Sequence, residues 1–95
     1  MEVIWLEGAF LDSRRVREHI RQLNPLAAQK TVGRIEKAAE QLSRFPAVGR
    51  VGEVPGTREL VITGTLLYFL VYRARGDRLE ILRIFHSKQQ CPQPI

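Results

Sequence analysis

Ninety-five residues, 44% of them apolar and 26% charged, have the make-up of one folded domain near the lower size at which a core sustains itself, and they exclude a disordered chain. No apolar run approaches the roughly 18 residues of a membrane span. The single cysteine, Cys91, has no partner for an internal disulfide and no companion at zinc-ligand spacing. Fifteen Lys/Arg against ten Asp/Glu give a net charge of +5 and a pI near 10.1, which points to an anionic partner, either nucleic acid or an acidic protein segment.

The first residues, Met1-Glu2-Val3-Ile4-Trp5, are acidic where a secretory leader is basic, so a cytoplasmic location is expected, with no membrane association. Val3 to Leu6 is short and β-compatible and reads as the first strand, with Trp5 suited to cover a helix. From Ala9, the apolar positions Ala9, Val16, Ile20 and Leu23 recur at helical spacing among Asp12, Arg14, Arg15, Arg17, Glu18 and Arg21, which predicts a helix ending near Leu23. Its arginines read mainly as a solvated face, and His19 as a surface residue.

Asn24-Pro25 is a stop and a start together, because asparagine caps a helix well and proline is pre-shaped for its first position. Ala28, Val32, Ile35, Ala39 and Leu42 then repeat at steps of four and three, giving a second helix with one stripe toward the sheet. Gly33 costs about 1 kcal/mol relative to alanine there, and a close helix contact is one reason to keep it. Phe45-Pro46 ends the helix, since proline disfavours helical geometry in the residue before it.

Pro46 to Pro55 is the longest irregular stretch, and in Gly49-Arg50-x-Gly52 the flanking glycines leave the Arg50 side chain accessible. Thr57 to Ile62, Leu66 to Arg75 and Arg78 to Phe85 are rich in β-formers and read as strands, with Gly76-Asp77 as a two-residue hairpin turn. That turn pairs Arg75 with Arg78, Arg73 with Glu80, Val71 with Leu82, Phe69 with Ile84 and Leu67 with His86. One face then carries Leu67, Phe69, Val71, Leu82, Ile84 and His86; the other carries Tyr68, Leu70, Tyr72, Ile81, Arg83 and Phe85. Two helices cover one face only, so the second is expected to be an exposed apolar docking surface. Residues 1–43 carry seven Lys/Arg against six Asp/Glu and residues 44–95 eight against four, so the basic excess belongs to the sheet half.

Four segments of that half carry a likeness: Pro46-x-x-Gly49-Arg50-x-Gly52; Gly56-Thr57-Arg58-Glu59-Leu60-Val61-Ile62; Leu70-Val71-Tyr72-Arg73; and Ile81-Leu82-Arg83-Ile84-Phe85-His86. Together they resemble the RelE/ParE superfamily, the small basic toxins of bacterial type II toxin–antitoxin modules, over Val3 to Pro92. The fold this implies is α+β in β-α-α-β-β-β order, two antiparallel helices packed on a mainly antiparallel four-stranded sheet. Residues 1–95 form one toxin domain in this reading, with an irregular tail from about residue 87.

The resemblance also implies a partner, a cognate antitoxin, ParD-like or other, whose acidic tail wraps the domain in a hetero-oligomer, and it implies no cofactor and no metal. RelE-like members cleave messenger RNA in the ribosome. Metal-free cleavage needs an activated 2′-hydroxyl, cations around a pentacovalent phosphate and a proton for the leaving oxygen. Arg50, Arg58, Arg83 and His86 are the candidates, with His86 as the acid near neutral pH or as an ordinary strand-end residue with one hydrogen bond.

Where such nucleases place a catalytic arginine before Leu-Val-Tyr, this chain has Phe69. Their closing basic run and tyrosine are replaced by Ser87-Lys88-Gln89-Gln90-Cys91-Pro92. ParE-like members poison DNA gyrase without catalytic residues, and Leu82-Arg83-Ile84-Phe85-His86 is similar to their last-strand pattern. Gyrase inhibition is the activity the resemblance favours, ribosome-dependent mRNA cleavage is the alternative, and a non-toxic antitoxin-binding module is the third. Candidate target- or antitoxin-binding residues are Arg50, Arg58, Phe69, Arg73, Arg83, His86 and Lys88. For Arg58-Glu59, the readings are an anion-holding arginine with its supporting carboxylate, or a cross-strand ion pair.

Overall fold

A computed structural model describes residues 1–62, 64 and 68–87. Strand β1 (Glu2–Trp5) leads into α1 (Glu7–Leu23) and α2 (Pro25–Arg44), followed by β2 (Arg50–Val51), β3 (Arg58–Val61), β4 (Tyr68–Arg75) and β5 (Arg78–His86). The sheet order is β1-β5-β4-β3-β2, with β1 parallel to β5 and every other pair antiparallel. The expected four strands therefore become five. The addition is the two-residue β2, which pairs Arg50 with Glu59 and Val51 with Arg58 inside a stretch whose prolines and glycines read as loop.

The helix boundaries follow their punctuation. The Asn24 side chain accepts hydrogen bonds from the backbone N–H groups of Leu26 and Ala27, and Pro25 occupies the first turn of α2. Phe45 closes α2 through its N–H to the Gln41 carbonyl, just before Pro46. Ala28, Ile35, Ala39 and Leu42 are buried at the expected steps, whereas Leu23 at the end of α1 is 78% exposed. Gly33 has nothing within 4 Å of where a Cβ would stand, so it marks no tight helix contact.

The core lies between the helices and one face of the sheet. Ala9, Ile35, Ala39 and Leu42 meet Tyr68, Leu70, Tyr72, Leu79, Ile81 and Ile84, with Val3, Trp5, Val16, Ile20 and Leu60 packed around them. Burial of apolar surface at about 25 cal/mol per Å² is what holds the layers together.

The β4–β5 hairpin keeps its expected register near the turn, where Arg75 faces Arg78 and Arg73 faces Glu80 and where Gly76 takes the positive φ of 64° that the turn requires. A bulge then follows. Tyr72 faces Ile81, but Val71 faces Arg83, Leu70 faces Ile84, Phe69 faces Phe85 and Tyr68 faces His86. Leu82 is the extra residue, and the one-residue shift transfers Ile84 to the helix side and leaves Phe85 on the other, the reverse of the unbulged expectation. The expected pairing of Leu67 with His86 lies outside the described residues on the Leu67 side, and Tyr68 occupies the place opposite His86.

Candidate functional site on the open sheet face

On the face turned away from the helices, Phe69, Val71 and Phe85 form a second apolar cluster with Leu82 packed against it. This cluster is not the exposed docking surface expected from the alternation: Phe69 is 8% exposed, Phe85 3% and Val71 1%. Two arginines lie over its rings. The Arg50 guanidinium stands 6.0 Å from the Phe69 centroid, and the Arg83 guanidinium 4.9 Å from that of Phe85. The two rings are themselves 5.8 Å apart, so Arg50, Phe69, Phe85 and Arg83 make one row from β2 across β4 to β5.

Arg50, Arg73 and Arg83 on this face are each held by a carboxylate with little exposure. Arg50 binds Glu59 across the β2–β3 pair, with Nε at 3.0 Å and a terminal nitrogen at 2.9 Å from one oxygen. Arg73 donates to Glu80 at 2.7 Å, and Arg75 lies 4.0 Å from the same oxygen. Arg83 Nε donates to Asp12 of α1 at 2.7 Å and a terminal nitrogen at 3.2 Å. Glu59, Glu80 and Asp12 are each buried, and burying a carboxylate is tolerable only with such pairing. The Arg73 hydrogen bond holds the Glu80 carboxyl below its ordinary value of 4.5, against the opposing effect of burial, with smaller help from the charges of Arg73, Arg75 and Arg78.

Arg58 takes a different partner, donating to the Gly49 carbonyl at 2.8 Å. The loop it touches is fixed from below by Tyr72, whose hydroxyl accepts from the Gly49 N–H at 3.0 Å and donates to the Pro46 carbonyl at 2.8 Å. Glycine is required at 49, since a Cβ there would sit 2.7 Å from both the Tyr72 hydroxyl and the Glu59 carbonyl oxygen. Its neighbour Arg50 keeps a side chain that is 64% exposed, as the flanking glycines suggested.

His86 belongs to the other side. Its ring meets Tyr68 edge-on at 5.2 Å, and Tyr68 is part of the helix-side core. The sheet therefore brings Arg50, Phe69 and Arg83 together, puts Arg73 on the same face near the hairpin turn, and separates His86 from them. Lys88 lies outside the described residues. Asp12 escaped sequence reasoning altogether; its only signal was an acid inside an arginine-rich helix, which also describes a solvated face.

A family model described as the ParE toxin of the type II toxin–antitoxin system parDE matches residues 3–91. The chain is 37% identical over 91 residues to Y4kP of Sinorhizobium fredii, described as a toxin, covering 96% of this chain and 93% of that one. It is 34% identical over 86 residues to toxin RelE2 of Caulobacter vibrioides, covering 90% and 94%. Among solved structures it is similar to one from the chromosomal ParDE system of P. aeruginosa, at TM-score 0.83 and 28% identity, covering 93% of this chain and 97% of that one. The YoeB/ParE toxin from Agrobacterium tumefaciens shares the fold at TM-score 0.62 and 21% identity, over 92% and 99% of the two chains. With its sheet and helices in this arrangement and a match along nearly its whole length, the chain belongs to the ParE toxin family of type II toxin–antitoxin systems, whose members are paired with a cognate antitoxin.

Proposed function

We propose that this toxin arrests growth by inhibiting DNA gyrase through protein contact, in the cytoplasm, and that the antitoxin neutralises it by covering the contact surface. The observation that carries the reading is the division of the candidate nuclease residues by the sheet. His86 and, opposite Tyr72, Arg58 lie on the helix side, Arg50 and Arg83 lie on the open face, and a buried Phe69 stands where a nuclease of the superfamily places its arginine. Phosphoryl chemistry needs its acid and its cations within reach of one phosphate. A poison that works by contact has no such requirement, and a basic surface of +5 suits an enzyme–DNA complex.

Ribosome-dependent mRNA cleavage is the second reading, favoured by the likeness to a relative named RelE2 and by the two guanidiniums on the open face. One experiment separates them: antitoxin-free protein in a gyrase supercoiling and DNA-cleavage assay, beside a programmed-ribosome mRNA assay. The expected result is lost supercoiling with accumulated cleaved DNA and intact mRNA. Cut mRNA with untouched gyrase would replace the first reading by the second, and inactivity in both would leave an antitoxin-binding module.

A further inference from the structure

The positive charge of the chain is not equally available over its surface. In the sheet half, Arg50, Arg73 and Arg83 are directed at buried carboxylates. Helix α1 differs. Beyond Asp12 it carries Arg14, Arg15, Arg17 and Arg21, all exposed, against one exposed carboxylate, Glu18. Glu18 is engaged by Arg21 through hydrogen bonds of 3.1 and 3.0 Å. Asp12 is buried against Arg83, with Arg15 no nearer than 3.9 Å. Arg14 and Arg17 make no hydrogen bond or ion pair with any described residue.

Arg14, Arg17 and Arg21 follow one another at steps of three and four, which sets them in one stripe about 10 Å long. The other side of α1 is fixed, because Ala9, Val16 and Ile20 sit in or against the core and Asp12 binds β5. The stripe is thus a firmly mounted row of cations. A face that is merely solvated is built differently, as α2 shows: there Glu36 and Glu40 stand among Lys30, Arg34, Lys37 and Arg44, and Arg44 pairs with Glu40. Like charges at such spacing repel. The helix dipole favours a cation in the last turn, which accounts for Arg21 but not for Arg14 or Arg17.

We propose that the stripe of Arg14, Arg17 and Arg21 binds the phosphate backbone of duplex DNA without reading its sequence, a contact that deepens the gyrase reading and rests on it for its setting, since that enzyme holds a duplex. Each DNA strand carries one phosphate per 3.4 Å or so of axis, so a row about 10 Å long meets roughly three. Guanidiniums suit phosphate oxygens through paired N–H donors. Other anionic partners fit less well. A membrane surface needs the apolar face of a helix free to insert, and that face of α1 is occupied by the core, with Phe10 and Leu11 exposed at its start. Single-stranded RNA needs aromatic platforms among the cations, and Phe10 is the one phenyl ring of α1. An acidic protein segment needs an apolar centre to its interface, which three arginines do not supply.

The test titrates the full-length, antitoxin-free toxin against a fluorescent DNA duplex of about 20 base pairs, by anisotropy over a salt series. Binding is expected, with log Kd rising against log salt at a slope of about 3. Arg14→Ala and Arg17→Ala alter exposed side chains and should keep native thermal melts. Each should weaken binding about fivefold at low salt and lower the slope by about 1. Combining Arg14→Glu with Arg17→Glu should abolish binding. Arg75→Ala, which removes an arginine side chain 66% exposed at the β4–β5 turn, should bind as the native chain does.

No binding at low salt, or α1 variants that match the native affinity and salt slope, would overturn the contact; gyrase inhibition by the native protein would then stand on protein contact alone. DNA binding lost in the α1 variants, with gyrase untouched by the native protein, would keep the contact and remove the gyrase reading. Tighter binding to single-stranded RNA of equal length, or to phosphatidylcholine–phosphatidylglycerol vesicles, with the same dependence on Arg14 and Arg17, would overturn duplex DNA as the occupant.

Discussion

Asp12 and Arg83, 71 residues apart in the chain, meet through two hydrogen bonds of 2.7 and 3.2 Å. The same Asp12 carboxylate accepts the backbone N–H of Ile84 at 2.9 Å. β1 pairs with β5 only as far as Ile81, so beyond it a helix side chain serves as the sheet's missing neighbour. The contact is close: a Cβ on Gly8 of α1 would stand 3.2 Å from the Leu82 carbonyl oxygen.

Asp12→Ala is accordingly expected to destabilise the protein by about 3 kcal/mol, because it removes the carboxylate that binds Arg83 and accepts the buried Ile84 N–H. Asp12→Asn, which can still accept from Ile84, should cost less. Urea denaturation of both variants checks the order; equal and small losses would show that the clamp is incidental.

Tyr72 secures the loop before β2. Tyr72→Phe removes both its hydrogen bonds and should cost about 2 kcal/mol. Gly49→Ala should cost about 1–3 kcal/mol by overpacking against Tyr72 and Glu59. Because the two changes act on one contact, the double variant is expected to lose less than their sum, and strict additivity of the thermal melts would break that link.

Phe69→Arg is expected to cost stability before it can affect activity. Restoring an arginine at a nuclease-like position means placing a cation in a buried cluster with Arg50 already 6.0 Å away, at a cost of about 3 kcal/mol. Loss of growth arrest should therefore accompany a lowered melting temperature. Phe69→Leu is the informative companion, expected to stay folded and toxic; a folded but inactive Phe69→Leu would implicate the ring itself in target contact.

Acid should weaken the Arg73–Glu80 pair. The Glu80 pKa is lower folded than unfolded, so its contribution is complete above the ordinary value of 4.5 and disappears as pH falls through the folded value. Melting temperatures of Glu80→Gln should lie below native at neutral pH and show a shallower decline on acidification. Parallel pH curves for the two proteins would contradict this assignment.

The elements that chain chemistry controls locally could be read without coordinates. Asn24-Pro25 and Phe45-Pro46 punctuate the helices through caps and proline sterics, and Gly76-Asp77 turns the hairpin where it must. Arg73 opposite Glu80 followed from counting outward from that turn. The count failed two residues past Glu80, at Leu82, because a bulge has no compositional mark in Ile81-Leu82-Arg83, where any residue is an acceptable strand former.

Strand β2 was hidden for a related reason. Two residues give no periodicity, and their pairing depends on Glu59 drawing Arg50 across from another strand. The candidate arginines were legible as cations, but their carboxylates were not: Asp12 comes from a helix distant in sequence, and its burial is a tertiary effect that a local pattern does not encode. The hidden apolar cluster of Phe69, Val71 and Phe85 shows the same limit, since alternation reveals that a face is apolar without revealing what lies over it.

β5 is bonded by β1 on one side and β4 on the other, although β1 is made first and β5 is the last described strand in chain order. During synthesis β1 has no strand partner among the described residues until Arg78 to Ile81 has emerged, and Asp12 has no Arg83 to bind until β5 is made. A nascent chain ending at Asp77 should thus remain open to protease, whereas one extended through Ser87 should resist it. Closure of the described sheet thus waits on β5, because the strand order joins the first described strand to the last.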